Sequence, residues 1–280
     1  MNIEGLKQLT NIEEKQKTLL YLFKYFHNFC EKNGLFYNAF GGTMLGAVRH
    51  HGFIPWDDDI DVTMPRNDYI QLIDLIKNNP SIPLTVHCYP DENYIYPYAK
   101  VGLKNSLQYE NIVKPPYNKL TINMDIFPVD GYPSDENEID EYCSYETNII
   151  LCTYKIASIF FIKHPKQVIK KIIAEKKGYQ YWINKQISLA SKNKIENSRN
   201  LICNGAGWGR KGIIEKEIYF NRILFDFEDT QIWGIRDYNN HMTRLYGDYM
   251  KLPPENKRIS PHDDTVFISD ELYSKILTQV

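Results

Sequence analysis

The chain of 280 residues holds only five cysteines, at 30, 88, 143, 152 and 203, and no two of them form a CxxC pair. An odd, scattered set excludes a disulfide framework and a structural zinc site, and points to reduced thiols in a cytoplasmic protein. No apolar run approaches ~20 residues, so a membrane-spanning helix is not expected, and the opening MNIEGLKQLTNIEEKQK is too charged for a signal peptide. There is no basic excess either. With 33 Lys and Arg against 35 Asp and Glu the net charge is −2, so no nucleic-acid partner is expected and any anion must be bound locally. Internal repeats and low-complexity tracts are also missing. What remains, 43% hydrophobic and 24% charged residues, is the composition of a globular chain long enough for one large domain or for a catalytic domain with a second lobe.

The local signals begin with an amphipathic helix over Asn11 to Asn33. Thr10 or Asn11 caps it, Leu19, Leu22, Phe23, Phe26 and Phe29 form its apolar face, and Gly34 stops it. A strand is expected over 35–40, broken by Gly41-Gly42 before a short helix over 43–50 started by the Thr43 hydroxyl. Strand, glycine turn and helix start together leave free backbone N–H groups near positions 42–45, where an anion binds. Further strands are expected at 60–64, 84–89, 94–103 and 120–131, with a helix over 66–77. The first 130 or so residues therefore read as α plus β with a mixed sheet, and helical signals dominate from Asp135 onward. The glycine-rich GAGWGRKG at 205–212 has the spacing of neither a Walker A nor a dinucleotide motif and reads as a turn bordering the site.

The chemistry concentrates in WDDDIDV, residues 56–62. On a strand, side chains two apart share a face, so Asp59 and Asp61 stand side by side while Ile60 and Val62 face the core; Asp57 joins them if the strand starts early. Ionised carboxylates that close raise one another's pKa unless a cation lies between them, and hard oxygen ligands suit Mg²⁺ or Mn²⁺ beside substrate phosphates. A solvated acidic loop is the plainer reading of a DDD run by itself. The strand context and the upstream Gly41-Gly42-Thr43 favour the metal and, with it, phosphoryl chemistry. A third acid is expected on a neighbouring strand, and Asp125, set among Met124, Ile126 and Phe127, is the best candidate. Arg49 and Lys100 are the cations expected near a transferring phosphoryl group, Lys100 lying in phase with Tyr94, Tyr96 and Tyr98.

These stretches closely resemble the LicD family, a branch of the nucleotidyltransferase superfamily that includes the fukutin-related proteins. GGTMLGAVRHHGFIPWDDDIDVTMPRNDY (41–69) carries the resemblance, supported in order by YPYAKV (96–101), MDIFPVDG (124–131) and YGDYMKLPPENKR (246–258). The resemblance implies an α+β fold: a nucleotidyltransferase-like mixed β-sheet core flanked by helices, at 1–133, and a mainly helical C-terminal lobe, at 134–280, completing the cleft. Resemblance and local chemistry together assign Gly41 and Gly42 to the phosphate turn, the Thr43 hydroxyl to gripping a phosphate oxygen, and Asp59, Asp61 and Asp125 to catalysis and metal binding. The resemblance further implies transfer of phosphocholine, or a similar phospho-alcohol such as ribitol phosphate, from CDP-choline or another CDP-alcohol. The acceptor implied by the resemblance is a glycan or lipid-linked oligosaccharide of lipopolysaccharide, teichoic acid or capsule, with release of CMP. The alternative within enzymes is a nucleotidyltransferase acting on a small hydroxyl compound or sugar phosphate with release of pyrophosphate. A binding protein reusing the same pocket is disfavoured by three converging acids.

Two features stay open at this level. Choline needs an aromatic cage, for which 21 Tyr and 4 Trp, among them Trp56, Tyr94, Tyr96 and Trp208, are ample material without singling out particular rings. The lysine-rich segment 154–185 reads either as an amphipathic surface making peripheral contact with the inner face of the membrane or as a solvated basic face of the helical lobe.

Overall fold

A computed structural model describes residues 5–133, 135, 137–155, 165–205, 207–260 and 262–279, with the side chains of 165–167 outside that set. After strand β1 (Leu6–Leu9), helix α1 runs Ile12–Asn33. The Asn11 side chain accepts the Glu14 N–H at its start, and Gly34, left-handed at φ 64, returns its N–H to the Cys30 and Glu31 carbonyls at its end. Both signals are local, which is why the helix was readable.

Next come β2 (Asn38–Ala39), α2 (Gly41–His50), β3 (Asp61–Pro65), α3 (Arg66–Lys77), β4 (Leu84–His87), β5 (Ala99–Leu103), β6 (Ser106–Tyr109), β7 (Lys119–Leu120) and β8 (Asn123–Gly131). Strand β3 lies parallel to β8 and antiparallel to β2, so the sheet is mixed. The nine-residue β8 is shared along its other edge: its first half pairs with β5, its last three residues with β9 (Asn200–Cys203). Val62 and Met64 of β3 and Met124 and Ile126 of β8 pack with Leu22, Phe23 and Phe26 of α1 in one core. Their alternate neighbours, Asp61 and Asp125 included, face the other way.

Helices α4 (Asn137–Thr153), α5 (Pro165–Lys177) and α6 (Tyr179–Ala190) pack together before β9, with Ala174 of α5 buried and its carbonyl accepting the Trp182 indole N–H of α6. Strand β10 (Ile213–Glu215) then extends the main sheet; α7 (Lys216–Phe220), the hairpin β11 (Arg222–Phe227) and β12 (Thr230–Ile235), and α8 (Tyr238–Tyr246) follow. Strand β13 (Thr265–Ser269) pairs with both β1 and β6 in a second sheet, and α9 (Asp270–Gln279) closes the chain.

Several expected elements differ in extent, among them 120–131, which divides into β7 and β8 in separate sheets, and 84–89, which ends at His87. The strand expected over 35–40 is only β2, because the Leu35 N–H bonds the end of α1 at Cys30 and the Phe36 N–H bonds the Asp68 carboxylate of α3. The strand expected over 94–103 begins at Ala99. Upstream, the Tyr94 N–H closes a turn to Asp91, Tyr94 Oη donates to the Tyr98 carbonyl, and Pro97 has no N–H for a ladder. Helix α2 begins at Gly41 rather than Thr43, whose hydroxyl is engaged elsewhere.

Among the described residues no helix is long and apolar enough to cross a membrane. Within the lysine-rich segment, α5 exposes Val168, Ile169, Ile172 and Ile173 beside its lysines, while 156–164 lie outside the described residues.

Candidate active site

Asp61 opens β3 and Asp125 lies opposite it in register on parallel β8. Backbone hydrogen bonds fix both: the Asp125 N–H reaches the Ile60 carbonyl at 2.9 Å, and the Asp61 carbonyl accepts the Phe40 N–H at 3.0 Å. The Asp61 N–H is bound by Thr43 Oγ1 at 2.8 Å. Buried Thr43 therefore joins the first turn of α2 to the first residue of β3, the job that displaces it from capping.

The glycine pair is required because carboxylates lie against that helix start. A Cβ on Gly42 would stand 2.6 Å from Asp57 Oδ2, and one on Gly41, already at φ 55, would stand 3.1 Å from Asp61 Oδ2. The first turn of α2 carries no side-chain cap and no acidic residue of its own, so its amides face the acids arriving from the 55–61 segment. Gln16 of α1 holds that segment in place through the carbonyls of Ile54 and Asp57.

Of the four aspartates in five positions, Asp58 points away from the other three. Its buried carboxylate takes Lys15 Nζ at 3.3 Å, Ser260 Oγ at 2.6 Å and His262 Nδ1 at 3.1 Å. The His262 ring then brings Nε2 to 3.8 Å from Asp59 Oδ2. Burial alone would lower the His262 pKa; the Asp58 hydrogen bond and the charges of Asp59 and Asp58 prevail and hold it up at about 9. A folded-state value above the unfolded one stabilises fully below about pH 6.5, and that contribution fades as pH rises through about 9. The gap in Tm between wild type and His262→Gln, followed by calorimetry from pH 6 to 10, should be widest at pH 6 and shrink steadily. A gap that widens with pH would contradict this account.

Lys100, in register with Asp125 on β5, is buried between two acids, with Nζ 2.6 Å from Asp125 Oδ1 and 3.3 Å from Glu110 Oε1. Burial would lower its pKa, but Asp125 and Glu110 raise it well above the ordinary lysine value. One ammonium does not compensate both: the buried Glu110 pKa remains raised, burial outweighing the pull of Lys100 and the Tyr96 hydroxyl at 2.6 Å.

Around Asp57, Asp59 and Asp61 the imbalance is larger. Burial first, then the Asp59 charge, pushes Asp57 up to about 8. Asp61 is raised well above the carboxylate range by burial and then by Asp59, Asp125 and Asp57. The Asp57 and Asp59 side chains lie within hydrogen-bond reach of each other, an approach two carboxyls tolerate only with a shared proton or a cation between them. Asp59 keeps 34% of its side chain open, so these acids line a crevice rather than a sealed core.

Among the described residues no three acid, His or Cys side chains already surround one ion position. Asp59 and Asp61 nevertheless suit a hard divalent cation by their donor chemistry. Mg²⁺ takes one or two protein carboxylates and completes its shell with water and substrate phosphate oxygens, so a closed protein cage is not needed. Asp125 borders this position with one oxygen committed to Lys100.

The other anticipated residues fall at unequal distances. Arg49 is in the last turn of α2, donating to the Tyr249 carbonyl at 2.7 Å and to His50 at 2.9 Å, about two helical turns from the glycine pair. Tyr246 stands between them. Its hydroxyl lies 3.7 Å from the Gly41 Cβ position, and burial together with Asp61, Asp57 and Asp59 raises its pKa. Trp208 of the glycine-rich loop packs edge-on against Tyr246 at 5.3 Å, bringing that loop to the site's border. Tyr246, His262 and Glu110 were not singled out as site members from the sequence. Tyr246 lies within the resembling stretch 246–258, whereas the roles of His262 and Glu110 arise only from tertiary contact.

Residues 34–167 match the family described as LicD/FKTN/FKRP, nucleotidyltransferase domain. The chain is 31% identical to a lipopolysaccharide cholinephosphotransferase LicD of Haemophilus influenzae over 271 residues, covering 94% of this chain and 100% of that protein. Two shorter similarities are to uncharacterized proteins of Rickettsia. One, in R. prowazekii, is 36% identical over 83 residues, covering 30% of this chain and 31% of its own. The other, in R. typhi, is 45% identical over 58 residues, covering 21% and 19%.

Proposed function

The chain belongs to the LicD family, and from that membership we propose that it transfers phosphocholine from CDP-choline to a hydroxyl of lipopolysaccharide or a related cell-surface glycan, releasing CMP. The observation that carries this reading is full-length similarity to a lipopolysaccharide cholinephosphotransferase in a chain whose uncompensated carboxylates converge on a glycine-started helix.

On this reading Asp59 and Asp61 would hold Mg²⁺ or Mn²⁺, which when bound would supply charge neutralisation at the donor's phosphate oxygens. The amides that follow Gly42 receive a phosphate oxygen, and Thr43 acts through Asp61, fixing its backbone. Asp125, paired with Lys100 Nζ at 2.6 Å, accepts the proton of the attacking sugar hydroxyl as the new P–O bond forms. The bond from the distal phosphorus to the bridging oxygen breaks and the electron pair leaves with CMP. Residues 1–133 carry the acids in this scheme, and 134–280 complete the cleft with Tyr154, Tyr246 and His262.

The test is incubation with a panel of CDP-alcohols, Mg²⁺ and a glycan acceptor, with chromatography of the nucleotide products. CMP appearing with CDP-choline is the expected result. Pyrophosphate released from a nucleoside triphosphate, with every CDP-alcohol left intact, would replace this reading by nucleotidyl transfer.

A further inference from the structure

Behind the acid crevice lies a second cavity of about 250 Å³, lined by Tyr96, Tyr98, Phe127, Tyr154, the Gly205 and Gly207 backbone, and aliphatic side chains of α4. One ionisable group outside the tyrosines faces it, Glu146 of α4. Among the described residues no hydrogen bond or ion pair is made by the Glu146 carboxylate, and burial alone moves its pKa, up to about 7. Among the described residues no basic side chain lines this cavity, and a buried carboxyl there is costly unless its ligand brings the positive charge.

The walls suit one kind of cation. Tyr96 and Tyr98 pack at 5.2 Å and Tyr98 meets Phe127 at 4.5 Å, each ring 9% exposed or less, and Lys100 Nζ already lies over Tyr96 at 4.7 Å and Tyr98 at 5.7 Å, so these rings are placed to receive a cation. A primary ammonium needs acceptors for three N–H groups. A trimethylammonium has none to satisfy and is bound by ring faces and a carboxylate.

The cavity is also correctly placed. Tyr96, Tyr98 and Tyr154 line both it and the acid crevice. Phe127 follows Asp125 by two residues on β8 and shares its face. The glycine-rich loop roofs the chamber: Gly205, at φ 94, passes so close to the Tyr98 ring that a Cβ would stand 2.6 Å from it, while the neighbouring Trp208 packs on Tyr246 beside the acids. Phosphate at the acids and a positive group in the chamber would be joined by a short arm, the arrangement of phosphocholine.

We propose that Glu146 and the rings of Tyr96, Tyr98, Phe127 and Tyr154 form the quaternary-ammonium subsite that selects choline among phospho-alcohols. This deepens the phosphocholine-transfer reading and rests on it for the identity of the donor.

Its test pairs two measurements on the full chain. Choline chloride is titrated calorimetrically into wild type, Glu146→Gln and Ile150→Lys; the last, at a cavity-lining position 37% exposed, tethers an ammonium inside. CMP release is then compared for CDP-choline and CDP-glycerol. Both substitutions should weaken choline binding tenfold or more and cut the preference for CDP-choline over CDP-glycerol by a similar factor. Glu146→Gln should keep or raise Tm, since it removes an unpaired buried carboxyl; if it fails to fold, Ile150→Lys decides the matter. Choline binding that is absent from wild type, or equal in all three proteins, overturns the subsite even where CMP release is normal. Choline binding that depends on Glu146 without CMP release from any CDP-alcohol upholds the ammonium site and sinks the phosphotransfer reading instead.

Discussion

Asp61→Asn is expected to reduce CMP release from CDP-choline on the order of 10³-fold, the size typical of deleting a principal electrostatic group from an active site, and at the same time to raise Tm. The two effects share one cause. Asp61 is pushed up by burial and by three neighbouring acids, against the weaker opposing charge of Lys100, so its ionised form works against the folded state. An amide of the same shape removes that repulsion, which is the usual trade of stability against activity at a strained site. It also removes a hard anionic oxygen, so MgCl₂ should raise the Tm of wild type and leave the variant nearly unmoved. Scanning calorimetry with and without Mg²⁺, beside a CMP assay, reads all three quantities. Full turnover in the variant, or an equal Mg²⁺ response in both proteins, would dismiss Asp61 from the site.

The opposite outcome is expected of Lys100→Met. Here the substitution deletes the cation placed between Asp125 and Glu110, both of which stay behind, Glu110 and Lys100 each 6% exposed. Removing one partner of a buried ion pair costs about 3–5 kcal/mol. At about 2–4 °C per kcal/mol for a chain this long, Tm should fall by about 10 °C. Adding Glu110→Gln should recover part of the loss, because it neutralises one stranded acid. A Tm within two degrees of wild type for Lys100→Met would mean that the triad contributes nothing to stability, whatever its part in catalysis.

How much of this was legible in the chain depended on the range of the deciding interaction. Helix α1 was readable to within a residue because Asn11 and Gly34 satisfy orphan backbone groups only a few positions away. Helix α3 was readable end to end, since Pro65 precedes it and its apolar positions repeat on one face. The pairing of Asp61 with Asp125 was legible as an expectation because each sits among residues whose alternate neighbours are apolar, leaving the acids one face to share. The Tyr94 to Tyr98 stretch misled. Aromatic residues at alternate positions are strand-like, but Pro97 and the Tyr94 hydroxyl bond to Tyr98 turn that stretch into a packed loop. The anchoring of Asp58 by His262 spans 204 residues, and no local pattern announces it. Glu146 was equally silent: its environment is assembled from β8, α4 and two distant loops, so only the folded chain shows its carboxyl buried and, among the described residues, without a hydrogen-bond or ion-pair partner.

The fastening of Asp58 has a mechanical corollary. Its side chain is bolted to the first long helix by Lys15 and to the penultimate stretch of chain by Ser260 and His262, so the acidic wall is a fixed jaw. The border of the site at Gly205, Gly207 and Gly209 is built differently, from glycines at positive φ that carry the backbone past Tyr98 and Trp208.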